Sequence, residues 1–268
     1  MSFSIEGKTA IVTGAANGVG LAIGRHFIEQ GANVMFADMD EAALQREIGV
    51  EIEADSGPAR IFAGDLRKKL TIKNLLSATV DAFEQIDILV NAARQIVLTD
   101  PLNPDDDSVS MLLEQNMLAG LRLSQAAARR MVKLAEGQDK PQVGAIINLS
   151  SIAARRTHPD LLAYSVSTAA ADQMTRSLAV ALAPHRIRVN SVAFGSVMSA
   201  SLKGALKEHD GYREDILCHT PLNRIASASE VCDAVQYLAC EASGFVTGQI
   251  ITVDGGRTLI DPVGCAAH

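Results

Sequence analysis

The chain has 268 residues, a formal net charge of −7, no Trp and four Cys. An acidic balance argues against nucleic acid as a partner, because a phosphate backbone selects Lys/Arg-rich surfaces. No run approaches the ~18 apolar residues needed to span a bilayer, so no membrane partner is expected. With seven Phe and three Tyr, Ala, Val, Leu and Ile must fill the interior, as in a sheet covered by helices on both faces. Met1-Ser2-Phe3-Ser4-Ile5-Glu6-Gly7-Lys8 lacks a basic region followed by an apolar stretch, so no signal peptide is read and a cytoplasmic location is expected. Cys218, Cys232, Cys240 and Cys265 form no C-x-x-C pair and no Cys/His ligand cluster. They read as reduced thiols, and no metal site is expected.

Strand and helix patterns alternate along the chain. Ala10-Ile11-Val12 is a buried strand, followed by a Gly-rich turn and a helix over Leu21 to Ile28. Asn33 to Ala37 is a second strand, ending in Asp38. An amphipathic segment from Glu41 to Ala54 closes at Ser56-Gly57-Pro58. Arg60 to Ala63 is a short strand ending at Gly64-Asp65, and a helix follows over Lys69 to Gln85. Ile86 to Asn91 is a strand, Pro101 to Asp107 a polar loop, and Ser108 to Ala135 a helix. Gly144 to Leu149 is the fifth strand; Leu161 to Ala183 is an Ala-rich helix ended by Pro184. Ile187 to Val192, a helix over Ser229 to Cys240 and a last strand over Gln249 to Val253 complete the series. This βαβ repetition predicts an α/β chain with a parallel sheet, right-handed crossovers and helices on both faces. No linker divides it, so residues 1–268 read as one domain. Residues 194–228 are the least regular stretch and read as a substrate loop or lid.

Thr13-Gly14-Ala15-Ala16-Asn17-Gly18-Val19-Gly20 is the most informative segment. A Gly-rich turn between a strand and a helix admits close backbone approach, and the helix N-terminus offers unpaired N–H groups to an anion. Gly14, Asn17, Gly18, Val19 and Gly20 are the candidate phosphate cradle. Asp38, about twenty residues on, suits hydrogen bonds from an adenosine ribose. Its charge would repel a 2′-phosphate, and the neighbouring Met39 and Asp40 offer no cation, so NAD is the expected cofactor.

Together these residues resemble the short-chain dehydrogenase/reductase family, from Lys8 to Gly256. Thr13 to Gly20 is similar to its T-G-x-x-x-G-x-G loop, and Asp65-Leu66 resembles its adenine-contacting acidic motif. Ser151 and Tyr164 resemble its catalytic Ser–Tyr pair, and Asn116 its helix asparagine. Val246-Thr247-Gly248 and Val253-Asp254-Gly255-Gly256 resemble its C-terminal pattern. The resemblance implies a single-domain, doubly wound Rossmann fold with a parallel sheet of about seven strands in order 3-2-1-4-5-6-7, and cofactor contacts at Asn91, Ala93, Tyr164 and Thr168 besides the cradle. It implies hydride exchange between a small-molecule alcohol or carbonyl and nicotinamide, with Tyr164 as general acid/base and Ser151 orienting the substrate oxygen. It also implies a homotetramer built on the long helices after strands four and five.

The chain departs from the family at several positions. The lysine four residues after the tyrosine is Thr168, which carries no charge. The family's N-N-A-G is Asn91-Ala92-Ala93-Arg94, and its Pro-Gly after the sixth strand is Phe194-Gly195. Arg94 is expected to point to solvent or to a nearby acid, the common fate of an arginine. The other reading has it supply the missing charge, which requires its guanidinium within hydrogen-bond reach of Tyr164 or the cofactor ribose. Arg155 and Arg156 read as a solvated pair, although they stand where an anionic substrate would pass. His158 reads as a loop residue, and Met198 and Phe194 as space-filling. An NAD-dependent oxidoreductase is the first functional reading. A dinucleotide-binding protein with little turnover, a sensor or assembly partner, is the second.

Overall fold

Short apolar runs of four to eight residues form the sheet: β1 (Thr9–Thr13), β2 (Asn33–Asp38), β3 (Ala59–Ala63), β4 (Ile88–Asn91), β5 (Gly144–Ser151), β6 (Ile187–Phe194) and β7 (Ile250–Val253). The computed structural model describes residues 2–49 and 57–261. All six pairings are parallel, in the order β3-β2-β1-β4-β5-β6-β7, as expected. Every residue of β1, β5 and β6 is buried, which explains their near-continuous apolar sequences. Successive side chains alternate between two cores. Ala10, Val12, Ile147 and Val192 pack toward α1 (Gly18–Glu29) and α9 (Ala228–Ala239). Ile11, Leu89, Ile146 and Val189 pack toward α3 (Lys69–Phe83), α5 (Ala119–Leu134) and α6 (Leu162–Leu182). The strand order reverses between β1 and β4, so a crevice opens at the carboxyl ends of those strands.

Three elements differ from the sequence reading. The helix from Glu41, α2, is described as Glu41–Ile48; positions 50–54 and Ser56 lie outside the described residues, as does Cys265. The long helix after β4 is interrupted. α4 (Ser108–Leu113) runs through a π-helical turn, Glu114–Leu118, into α5. Residues 194–228 hold two helices, α7 (Ala200–Glu208) and α8 (Tyr212–Cys218), and Val197 pairs with Ala226 at the base of the excursion. No helix of the described residues is long and apolar enough to cross a membrane.

A polar layer runs beneath α6. Asn91 donates to Ser124 Oγ at 2.9 Å and Asn148 Oδ1 at 2.8 Å, and Asn148 donates to Thr175 Oγ1 at 2.8 Å. Beside it Asp172 is 4% exposed, and its Oδ1 has no hydrogen-bond partner. Burial pushes this carboxyl above the usual carboxylate range; the Ser150 hydroxyl and the charges of Arg155 and Arg176 offset only part of that. A raised folded pKa means the fold favours the neutral acid. That contribution is whole below the unfolded value and is lost as pH rises through the folded one. Asp172→Asn therefore yields a protein more stable than the natural chain at pH 8, with the gap narrowing toward pH 5, as read by urea denaturation. A gap independent of pH would contradict this account.

Candidate active site

The crevice at the carboxyl ends of the strands holds about 950 Å³, and its walls include Gly14, Gly18, Asp38, Ala93, Arg94 and Phe194. Two glycines make the loop possible. Gly14 has φ +62°, and a Cβ there would meet Ala93 Cα at 2.7 Å; a Cβ on Gly20 would meet Gly14 O at 2.2 Å. Thr13 completes the junction, its hydroxyl oxygen accepting the N–H groups of Ala92 at 3.0 Å and Ala93 at 3.1 Å. Gly18 opens α1 with nothing within 4 Å of its missing Cβ. No side chain caps the first turn of α1, since Asn17 makes no capping hydrogen bond. The cradle and this helix end therefore fit the pyrophosphate of a dinucleotide.

Asp38 stands half-buried beside the loop. Its Oδ2 accepts from Ala16 N at 3.0 Å and its Oδ1 from Asp40 N at 3.1 Å. Each oxygen retains a lone pair for a ribose hydroxyl. Asp65 is less free: Arg67 Nε and Nη2 grip it at 2.9 and 3.0 Å, and this fork holds its carboxyl below the usual range. An adenine amino group would share Asp65 with Arg67. Leu66 lines the same end of the crevice. The Asn91 side chain turns inward to the polar layer, so only its backbone is left for a cofactor.

The expected Ser–Tyr pair is not among the residues that wall this crevice; Tyr164 packs with Leu112, Ala153 and Ala163 and reaches the crevice only through its contact with Arg94. Ser151 ends β5; its Oγ accepts from Ala153 N at 3.1 Å, and its own proton has no partner among the described residues. Tyr164 sits in the first turn of α6 and is 3% exposed. Its hydroxyl oxygen accepts from Arg94 Nη1 at 2.9 Å, and the same nitrogen donates to Ser150 O at 3.2 Å. The Arg94 guanidinium lies 4.2 Å over the Phe194 ring. The expectation of a solvated Arg94 is thus overturned: an aromatic face and two oxygens outcompete water for it. Thr168 is not brought to the crevice. Its hydroxyl donates to Tyr164 O at 2.8 Å and Ser165 O at 3.2 Å within its own helix, and it is 4% exposed. Back-bonding of this kind is what a buried Thr does when nothing else is in reach.

Asn116 lies in the π-helical turn. It accepts from Gln95 N at 2.8 Å and donates to Gln95 O at 2.9 Å and Ser167 Oγ at 3.2 Å. It therefore clamps the segment that carries Arg94. Arg155 and Arg156 are not free. Arg155 donates to Thr252 Oγ1 at 3.0 Å and Arg156 to Thr258 O, tying the loop after β5 to the C-terminal segment. His158 accepts from Asp160 N at 3.3 Å and is exposed. Burial pushes the Cys232 thiol up to about 12. The absence of a Cys/His cluster needs correcting: α8 and its end bring donor atoms of Asp215, Cys218 and His219 within 4.8 Å of one another, all exposed. Hydrogen bonds among the three account for that closeness, His219 Nδ1 lying 3.2 Å from Cys218 Sγ and 2.9 Å from Asp215 O.

Known proteins are similar to this chain in sequence and fold. Residues 14–258 match the family described as Enoyl-(Acyl carrier protein) reductase. A galactitol 2-dehydrogenase (L-tagatose-forming) of Cereibacter sphaeroides is 34% identical over 262 residues, 96% of this chain and 97% of that one. A short chain dehydrogenase/reductase of Aspergillus oryzae is 30% identical over 262 residues, again 96% and 97%. Among solved structures, a 7α-hydroxysteroid dehydrogenase complexed with NADH and 7-oxo glycochenodeoxycholic acid superimposes with a TM-score of 0.85 at 30% identity, covering 95% of each chain. The chain belongs to the short-chain dehydrogenase/reductase family of oxidoreductases.

Proposed function

We propose that the protein is an NAD(H)-dependent oxidoreductase interconverting an alcohol and a carbonyl. The observation that carries this reading is the Arg94–Tyr164 contact of 2.9 Å at the end of the dinucleotide crevice. It sets a cation on the phenolic oxygen, where charge develops when the proton leaves. A bound nicotinamide dinucleotide supplies the hydride acceptor or donor. The first turn of α1, with Gly14, Gly18, Val19 and Gly20, holds its phosphates, and Asp38 its adenosine ribose. Ser151 donates its free proton to the substrate oxygen and orients it. Tyr164 moves the proton between that oxygen and solvent, and Arg94 takes the electrostatic part that Thr168 cannot. Asn116 acts at one remove, by positioning the Arg94 segment. NADH in the complex of the related hydroxysteroid dehydrogenase supports the cofactor choice. The reading includes a cytoplasmic location and a lid over residues 194–228.

The burial of Tyr164 among Leu112, Ala153 and Ala163, its hydroxyl taken by Arg94, favours a second reading, in which the protein binds the dinucleotide with little turnover. A panel of secondary alcohols and ketones separates the two. The natural protein turns over at least one pair, and Tyr164→Phe lowers kcat by about 10²–10⁴ while the NADH dissociation constant stays within about threefold. Turnover confined to Thr168→Lys would establish the second reading instead.

The cofactor choice is separately testable. A 2′-phosphate about 4 Å from Asp38, at an effective dielectric near 20, meets roughly 4 kcal/mol of repulsion per unit charge before screening. NADH is expected to bind at least about 100-fold more tightly than NADPH in calorimetry, with the gap narrowing in Asp38→Ser. Comparable affinities for the natural protein would refute the preference.

The homotetramer belongs to the same reading. Leu162, Val166 and Val180 are exposed along α6, Val180 at 79%, and an apolar face of that kind suits a helix-to-helix subunit contact. Sedimentation equilibrium should return four times the chain mass, with Val180→Glu shifting it downward.

A further inference from the structure

The Arg94 guanidinium is only half used. Both hydrogens of Nη1 are committed, one to the Tyr164 hydroxyl at 2.9 Å and one to Ser150 O at 3.2 Å. Among the described residues, Nε and Nη2 have no hydrogen-bond partner. Neither is among the buried atoms left without one, so both are open to the crevice that Arg94 lines. Among the described residues no carboxylate pairs with this cation, whereas Arg67 is held by Asp65, Arg122 by Glu114 and Arg224 by Glu230. The Phe194 ring, its centroid 4.2 Å from the guanidinium carbon, packs against it. A partly buried, oriented guanidinium without a counter-charge, beside a reacting hydroxyl, is built to receive an anion.

We infer that the substrate is an acid whose carboxylate docks on the Nε/Nη2 edge of Arg94, several bonds from the reacting carbon. This inference rests on the oxidoreductase reading. The two free N–H bonds of that edge run parallel and match the two oxygens of a carboxylate. The edge faces away from Nη1, and therefore away from the phenolic oxygen. With ordinary guanidinium and hydrogen-bond dimensions, a carboxylate carbon there lies roughly 7 Å from the Tyr164 oxygen. A 2-oxo or 2-hydroxy acid is too short to reach both groups. A 4- or 5-oxo acid, or the matching hydroxy acid, spans the distance. In the oxidative direction the carbinol C–H bond breaks, and its electron pair leaves as hydride to the oxidised nicotinamide. The substrate hydroxyl proton passes to the Tyr164 oxygen, which has first released its own proton to solvent, a C=O bond forms, and the carboxylate is unchanged.

The test uses the full chain saturated with NAD⁺, which forms a dead-end complex with an oxo compound. Calorimetry compares 4-oxopentanoate with its methyl ester, and pyruvate with its own methyl ester. The acid is expected to bind at least tenfold more tightly than the ester for the longer pair, with no such preference for pyruvate. In Arg94→Gln the acid-to-ester ratio falls to near one; in Arg94→Lys, which keeps the charge and loses the fork, it falls part of the way. Equal binding of acid and ester to the natural protein overturns the inference, as does an unchanged ratio in both variants. If Arg94→Gln instead weakens NAD⁺ binding tenfold and leaves the ratio alone, the anion is a cofactor phosphate, and the substrate assignment is wrong. Arg94-dependent binding of 4-oxopentanoate, with no turnover of any alcohol or ketone in the panel, leaves the carboxylate site standing and removes the oxidoreductase reading.

Discussion

The site depends on how closely two backbone segments approach at the reversal of strand order. Gly14 and Ala93 are in contact through main chain alone, leaving no room for a Cβ on Gly14. The Thr13 hydroxyl fastens the same junction by accepting the N–H groups of Ala92 and Ala93. These N–H groups stand just past the end of β4, where no strand partner continues to serve them, and leaving them unpaired under the loop would cost about 1–3 kcal/mol each. The contact does two things at once. It shapes the phosphate cradle, and it fixes the direction in which the next residue, Arg94, leaves the backbone.

A second clamp holds the far side of that residue. Asn116 bonds both the N–H and the C=O of Gln95, as a neighbouring strand would, but from a helix. A regular helix would not easily turn that one side chain outward. The π-helical turn Glu114–Leu118 inserts an extra residue and rotates the helix face, a device that recurs at functional sites. Arg94 is thus held between Thr13 on one side and Asn116 on the other. Its long side chain has only to find Phe194 and the oxygens of Ser150 and Tyr164. Much of the rotamer entropy of an arginine, about 2 kcal/mol, is offset by that cation–π and hydrogen-bond cage.

The fold was largely legible because its signals are local. Buried parallel strands read as apolar runs, Gly14 and Gly20 mark the tight turn, and the alternation of patterns implies a parallel sheet, whose strand order follows from the family resemblance. Ser151, Tyr164 and Asn116 could be singled out as a pattern by the family resemblance. What was not legible depends on contacts distant in sequence. The course of Arg94 is set by Phe194, a hundred residues on, and no periodicity encodes that pairing. The absence of charge at Thr168 could be read, but not that its hydroxyl would turn back to Tyr164 O. The π-helical turn leaves no mark in the apolar spacing of Ser108 to Ala135. The nearness of Asp215, Cys218 and His219 follows from positions i, i+3 and i+4 of a helix. That signal becomes visible only once the Gly-rich stretch around α8 is known to be helical.

Moving the positive charge from α6 to the loop after β4 changes more than its address. A lysine at position 168 would approach Tyr164 from one turn along the same helix, leaving the mouth of the crevice clear. Arg94 approaches from the loop after β4 and lies 4.2 Å from the Phe194 ring, while Tyr164 is 3% exposed in a cluster with Leu112, Ala153 and Ala163. The two unusual residues are therefore partners: the ring gives the guanidinium a surface to lie on. A helix-borne cation can act only on the tyrosine. A cation borne by a residue that lines the crevice meets the tyrosine through one nitrogen and keeps its remaining edge for other partners. The departure that removes a charge from α6 thus places charge where a ligand must pass, and it ties the chemistry of the phenol to the recognition of an anion.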